Sequence, residues 1–214
     1  MKFFNKDLVL INKGVMGLVT LVANCNHWIG FHIVNGLLEQ GLEVEGLVND
    51  KKDDGLTLFF GRNSNFSFFI DKKNNPYDQI IRVGTMNINA NLSSGLFMTL
   101  AHPSTVNHLT SSNELYIELP LLFGEWMPMT ESGMYFQGEF ISFSSDNFNQ
   151  HATYIQDFVA RFINWLSTTD LHHINRTVKK INLDKFVGIQ DNRPKEDKVK
   201  QVIQHYQNYR LRND

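Results

Sequence analysis

The sequence predicts an α/β fold with a mostly parallel sheet and flanking helices. Two observations carry the prediction. First, Gly17–Ala23 (GLVTLVA), Trp28–Gln40 (WIGFHIVNGLLEQ) and Leu42–Val48 (LEVEGLV) read as strand, helix and strand in direct succession. That order is a βαβ unit, whose crossover is right-handed and whose strands are parallel. Second, short apolar runs of strand length recur down the chain and give way to a clear amphipathic helix.

Each element has its own signal. Gly17–Ala23 is a brief β-branched apolar run, as a buried strand requires. In Trp28–Gln40, Ile29, Ile33, Val34, Leu37 and Leu38 recur at helical spacing, and Gly41 stands where a helix stops. Asn49–Gly55 is polar and reads as a loop. Leu56–Phe60 and Phe66–Ile70 read as strands joined by a turn at Gly61–Asn65. Pro76–Val83 and Gly95–Ala101 are further strands, and His102–Asn113 is a loop. Leu115–Phe123 is strand-like, with Pro120 marking a strand end. Thr153–Leu166 is an amphipathic helix with Ile155, Phe158, Val159, Phe162, Ile163 and Leu166 on one stripe. Val178–Ile181 reads as a last strand and Lys195–Leu211 as a charged helix. The expected organisation is a single α/β domain over residues 1–190 and a helical appendage over 191–214.

Composition narrows the function classes. The 42% of apolar residues suffice for a sizeable core, and a formal charge of −2 gives no electrostatic case for nucleic acid or an anionic membrane. The single cysteine, Cys25, excludes an internal disulfide and fits a reducing compartment. No apolar run reaches the length of a membrane span, and the first residues lack a clean apolar leader core. The expectation is a cytoplasmic protein that binds neither nucleic acid nor membrane. The histidines show no metal-site spacing.

Three segments carry a family resemblance. Val19–Asp50 (VTLVANCNHWIGFHIVNGLLEQGLEVEGLVND) resembles a first βαβ unit in which a G-x-x-G-x-x-G turn joins strand and helix. Leu115–Pro128 (LYIELPLLFGEWMP) resembles the pattern R-L-P-x-x-Y-G-P-x, matched at Leu119, Pro120, Phe123, Gly124 and Pro128. His151–Leu166 (HATYIQDFVARFINWL) resembles a Y-V-x-D-V helix, matched at Tyr154, Ile155 and Asp157. Together these resemble the extended short-chain dehydrogenases/reductases, the NAD-dependent epimerase/dehydratase branch. The resemblance implies a Rossmann-like sheet, here shortened in the middle. It also implies a site for NAD or NADP at Asn24, His27, Trp28, Ile29, Gly30, Asn49 and Asp50, and a substrate site at Pro120, Phe123, Gly124 and Asp157.

The departures from the pattern have physical meaning. The three turn glycines fall on Asn24, His27 and Gly30, and only Gly30 is retained. Asparagine is the best substitute for a glycine in the left-handed region. His27 puts a side chain where the family lets pyrophosphate approach the backbone. At the end of the second strand, Asp50 suits a ribose and Lys51 and Lys52 suit a 2′-phosphate. The family's chemistry needs a tyrosine with a lysine four residues on, so that the cation lowers the phenol pKa. No tyrosine here has lysine at that position. Ser104 or Thr105 stands for the family's catalytic hydroxyl. Tyr116 and Tyr135 are the only local phenols. The expectation is an epimerase-like pseudoenzyme that binds a nucleotide, a nucleotide-sugar, a protein partner or a second copy of itself. The alternative is an NAD(P)-dependent oxidoreductase or epimerase, acting on a nucleotide-sugar, with a non-standard base.

Overall fold

A computed structural model describes residues 19–49, 55–71, 76–88, 92–103, 114–168, 180–183 and 193–213. Its centre is a seven-stranded sheet. The strands are β1 (Val19–Ala23), β2 (Glu43–Leu47), β3 (Phe66–Phe68), β4 (Pro76–Val83), β5 (Ser93–Ala101), β6 (Glu114–Glu118) and β12 (Lys180–Asn182). Their order is β12-β6-β5-β4-β1-β2-β3, and every pairing in it is parallel. The order reverses direction between β1 and β4, which is the switch point of a doubly wound sheet.

Helix α1 (Trp28–Glu39) connects β1 to β2 and buries Ile29, Ile33, Val34, Leu37 and Leu38, the residues its spacing nominated. It ends at Gly41, whose φ of +73° is the left-handed conformation that glycine adopts at least cost. Gly36 lets α1 meet α3 (Ile155–Thr168) closely: a Cβ there would lie 2.6 Å from both Val159 and Ile163 side chains. Val22, Ile81, Met98, Leu115 and Ile117 share one core with both helices. Leu21 points the other way and forms a smaller cluster with Tyr77 and Ile80, as the period of a strand demands.

The β4–β5 crossover is short. β4 runs to β5 through residues 84–92, and β5 to β6 through residues 102–113. A parallel crossover built on a helix takes about a dozen or more residues. The described residues of these two connections contain no α-helix.

Several expectations need correction. Leu56–Phe60 is no strand but a single 3-10 turn over Leu56–Phe59. Leu56 and Phe60 are buried while Leu58 and Phe59 are 73% and 61% exposed, a helical i, i+4 spacing that the strand-like Leu-Thr-Leu alternation concealed. Leu115–Phe123 divides at Leu119–Pro120. Its second half, β7 (Leu121–Phe123), leaves the large sheet and pairs in parallel with β11 (Ala152–Tyr154). The amphipathic helix therefore starts at Ile155 rather than Thr153. Between them lie β8 (Met129–Thr130), β9 (Gly133–Phe136), β10 (Glu139–Ser142) and α2 (Asp146–His151), which sequence periodicity did not reveal. Ser145 caps α2 by accepting the Phe148 amide at 3.2 Å.

The final helix, α4 (Lys195–Asn213), docks on the domain through Val202, which is fully buried in the main core. None of the helices in the described residues is long and apolar enough to cross a membrane.

Candidate functional site

A crevice of about 380 Å³ opens at the carboxyl edge of the sheet. Its floor comes from the β1–α1 turn (His27, Trp28, Ile29), the end of β4 (Val83, Gly84) and the end of β5 (Ala101, His102). One wall is Leu119, Pro120, Leu122 and Pro128. The opposite wall is the β9–β10 hairpin, from Met134 to Gly138. Open parallel sheets bind ligands at this position, outside the carboxyl ends of the strands.

The β1–α1 turn is rigid. Asn24 has φ +67° and donates from Nδ2 to the Val83 carbonyl at 3.0 Å. Its backbone N–H and that of Cys25 both donate to the Leu47 carbonyl, at 2.8 and 3.1 Å. Asn26 bonds Asn49 twice, accepting its N–H at 2.9 Å and donating to its carbonyl at 3.0 Å. Gly30 is required by space: a Cβ would lie 2.2 Å from the Asn24 carbonyl oxygen. His27 is exposed, and its Nδ1 accepts the Ile29 amide at 3.3 Å, which caps α1.

These facts decide how well the residues suit a dinucleotide. The turn conformation and Gly30 match the family's requirements. The helix N-terminus does not, because an imidazole already occupies the Ile29 amide that an anion would engage. None of the described lining residues is Lys, Arg, Asp or Glu. Among the described residues a pyrophosphate would find no cation, and the His27 imidazole sits on one of the amides it would engage. Asn49 is engaged by Asn26, and Asp50, Lys51, Lys52, Ser104 and Thr105 lie outside the described residues.

Of the four residues expected at a substrate site, Pro120 lines the crevice. Phe123 is 1% exposed and packs its ring against Phe148 and Tyr154. Gly124 serves packing, since a Cβ would lie 2.2 Å from the Ile155 side chain. Asp157 forms a 2.7 Å ion pair with Lys198 of α4, both largely buried. The hairpin residues Met134 to Gly138 line the crevice in their place, and the Gln137–Gly138 turn was the one cue available in the sequence.

The two phenols differ. Tyr116 Oη donates to the Ala101 carbonyl at 2.6 Å, and burial, helped by Glu118, pushes its pKa up to about 12. It is fixed as a donor. Tyr135 lines the crevice and is 48% exposed. Beside it, Gln137 Nε2 lies 3.1 Å from His102 Nδ1, and burial holds His102 below the ordinary histidine range against the pull of Glu118.

Away from the crevice, Glu125 is buried under α4. Its Oε1 accepts from Tyr154 Oη and Gln201 Nε2, both at 2.8 Å, and its backbone carbonyl lies 3.1 Å from His32 Nε2. Glu125 stands where the family pattern has a proline, so this network belongs to this chain and was not expected.

No family model matches the sequence, and no curated protein matches it. Solved structures do. The yeast methylglyoxal/isovaleraldehyde reductase Gre2, complexed with NADPH, is 10% identical, with a TM-score of 0.52 over 90% of this chain and 99% of that one. Gre2 from Candida albicans is 12% identical, with a TM-score of 0.50 over 89% and 99%. The chain has the fold of these reductases. Vestitone reductase from alfalfa is 13% identical, with a TM-score of 0.49 over 79% and 77%. The resemblance carried by the L-P-L-L-F-G and T-Y-I-Q-D segments thus holds at the level of the fold.

Proposed function

We propose that this chain is a non-catalytic, Rossmann-like protein that acts by binding a small molecule in the crevice at the carboxyl edge of its sheet. One observation carries the reading. The β5–β6 connection, where the family's tyrosine and lysine would fall, is residues 102–113, and it contains neither residue type. Without that pair no phenolate forms to move a proton beside a cofactor.

The resemblance points to NAD(P) or a nucleotide-sugar as the ligand, in a cytoplasmic setting. The crevice suits the ring portion of such a molecule, and the capped α1 terminus does not suit its pyrophosphate. A second reading is an NAD(P)-dependent oxidoreductase with Tyr135 as its base, favoured by the place of Tyr135 in the lining.

Thermal melting and cofactor turnover together separate the two. A ligand at a hundredfold excess over Kd stabilises by about 2.7 kcal/mol. Millimolar NAD(H) or NADP(H) is expected to leave the melting temperature unchanged. A shift of several degrees with any of them, together with cofactor-dependent turnover, favours the second reading and counts against the first.

A further inference from the structure

The chemistry of the crevice narrows its ligand further. We propose that it takes a compact, uncharged ring compound without phosphate, an aromatic or conjugated molecule bearing a hydroxyl or carbonyl group, in preference to any nucleotide. This inference rests on the reading of the crevice as a ligand site.

Three observations converge on that class. The walls are apolar and ring-sized: Trp28, Pro120, Leu122, Pro128, Met134 and Phe136 surround the volume. Apolar and aromatic walls with a few placed polar groups are the usual build of a small-molecule site. A phosphate brought in among them loses its hydration without gaining a cation from the described lining residues, which is costly for any buried charge.

The natural anion donor of the fold is also engaged. The first amides of α1 face this crevice in the family arrangement, and here His27 Nδ1 accepts the amide of Ile29. A phosphate would have to displace a group of its own chain.

Polar groups are few and gather near the hairpin. The β9–β10 hairpin turns through Gln137 and Gly138 alone, with φ of +53° and +85°. This two-residue geometry is ordinarily taken by asparagine and glycine. Gln137 adopts it while its carboxamide meets His102 at 3.1 Å in the crevice lining. With the Tyr135 phenol and His27, the pair supplies the few hydrogen-bonding groups of a mostly apolar volume. That arrangement matches a ring with one or two polar substituents.

The test uses two probes with one ring, 1-naphthol and 1-naphthyl phosphate, titrated calorimetrically into the full chain. The expected result is saturable one-to-one binding of 1-naphthol, with 1-naphthyl phosphate at least about tenfold weaker. Binding should quench tryptophan fluorescence, and Trp28→Phe, a half-buried conservative change, should lose that quench while melting normally. Equal or tighter binding of 1-naphthyl phosphate, or a quench that persists in Trp28→Phe, overturns the inference and leaves the binding reading standing. Binding of neither probe overturns both. Turnover of NADPH together with the expected preference for 1-naphthol overturns the non-catalytic reading alone.

Discussion

Tyr154 donates its phenolic proton to Glu125 Oε1 across 2.8 Å, and the two side chains join β11 to the segment that follows β7. Both residues are buried, at 2% and 7% exposure. Burial first, and the Glu125 carboxylate second, push the Tyr154 pKa far above its usual value, so the phenol remains a donor at every working pH. The second carboxylate oxygen, Oε2, has no hydrogen-bond partner among the described residues. Tyr154→Phe removes one of the two donors to Oε1. The expected loss is about 1–3 kcal/mol, at roughly 2–4 °C per kcal/mol for a chain of this length. Thermal denaturation at pH 7 checks it.

The Lys198–Asp157 pair fixes α4 beneath the same network. Its side chains are 7% and 13% exposed. Lys198→Met alone strands a buried carboxylate, and breaking such a pair costs about 3–5 kcal/mol. The double variant Lys198→Met with Asp157→Leu is expected to recover most of that loss. Urea unfolding of the single and double variants measures the difference.

Glycines in this fold do two separable jobs. Gly30→Ala forces a Cβ to 2.2 Å from the Asn24 carbonyl oxygen, against backbone that cannot rotate away, and is expected to abolish soluble folded protein. Gly41→Ala meets nothing within 4 Å but must hold φ near +73°. Its expected cost is about 1 kcal/mol, the ordinary left-handed penalty. Circular dichroism melts of the two variants distinguish packing from backbone strain.

Acid should destabilise the chain in a way His32 controls. Burial holds the His32 imidazole below the ordinary histidine range, opposed by its bond to the Glu125 carbonyl and by the Glu125 charge. As pH falls below about 6.5, the unfolded chain therefore takes up more protons than the folded one. The stability is fully present above that pH and is lost as pH falls through the folded-state pKa. His102 and His205 are shifted the same way, each chiefly by burial. His32→Gln is expected to flatten the fall in melting temperature between pH 7.5 and pH 5.5. An unchanged slope assigns the effect to the other histidines.

How far the sequence revealed the fold depended on the strength of each local pattern. The β1–α1–β2 unit was legible because the periodicity of α1 and the stop at Gly41 agree with the packing they produce. The strands β4 and β5 were legible for the same reason. Leu56–Phe60 was not, because Leu-Thr-Leu begins with a strand-like alternation, and only tertiary burial shows that Leu56 and Phe60 face in. The break after Leu119 was signalled by Pro120, but the parallel partner of β7 lies some 30 residues on, and no local rule names it. The crevice was half legible. The turn residues His27, Trp28 and Ile29 and the lone Pro120 were anticipated from the resemblance, whereas Phe123, Gly124 and Asp157 proved to hold the core and α4 together. The hairpin wall escaped notice because Met134–Gly138 has only a short alternation and a Gln-Gly turn to announce it.

The proposal that this chain is non-catalytic turns on hydride transfer. The pure chain at high concentration is mixed with NADPH and a panel of aldehydes, ketones and nucleotide-sugars, and absorbance at the nicotinamide band is followed. The account predicts a rate no greater than that of the protein-free blank for every compound. A rate that rises in proportion to protein and disappears in Tyr135→Phe would contradict it.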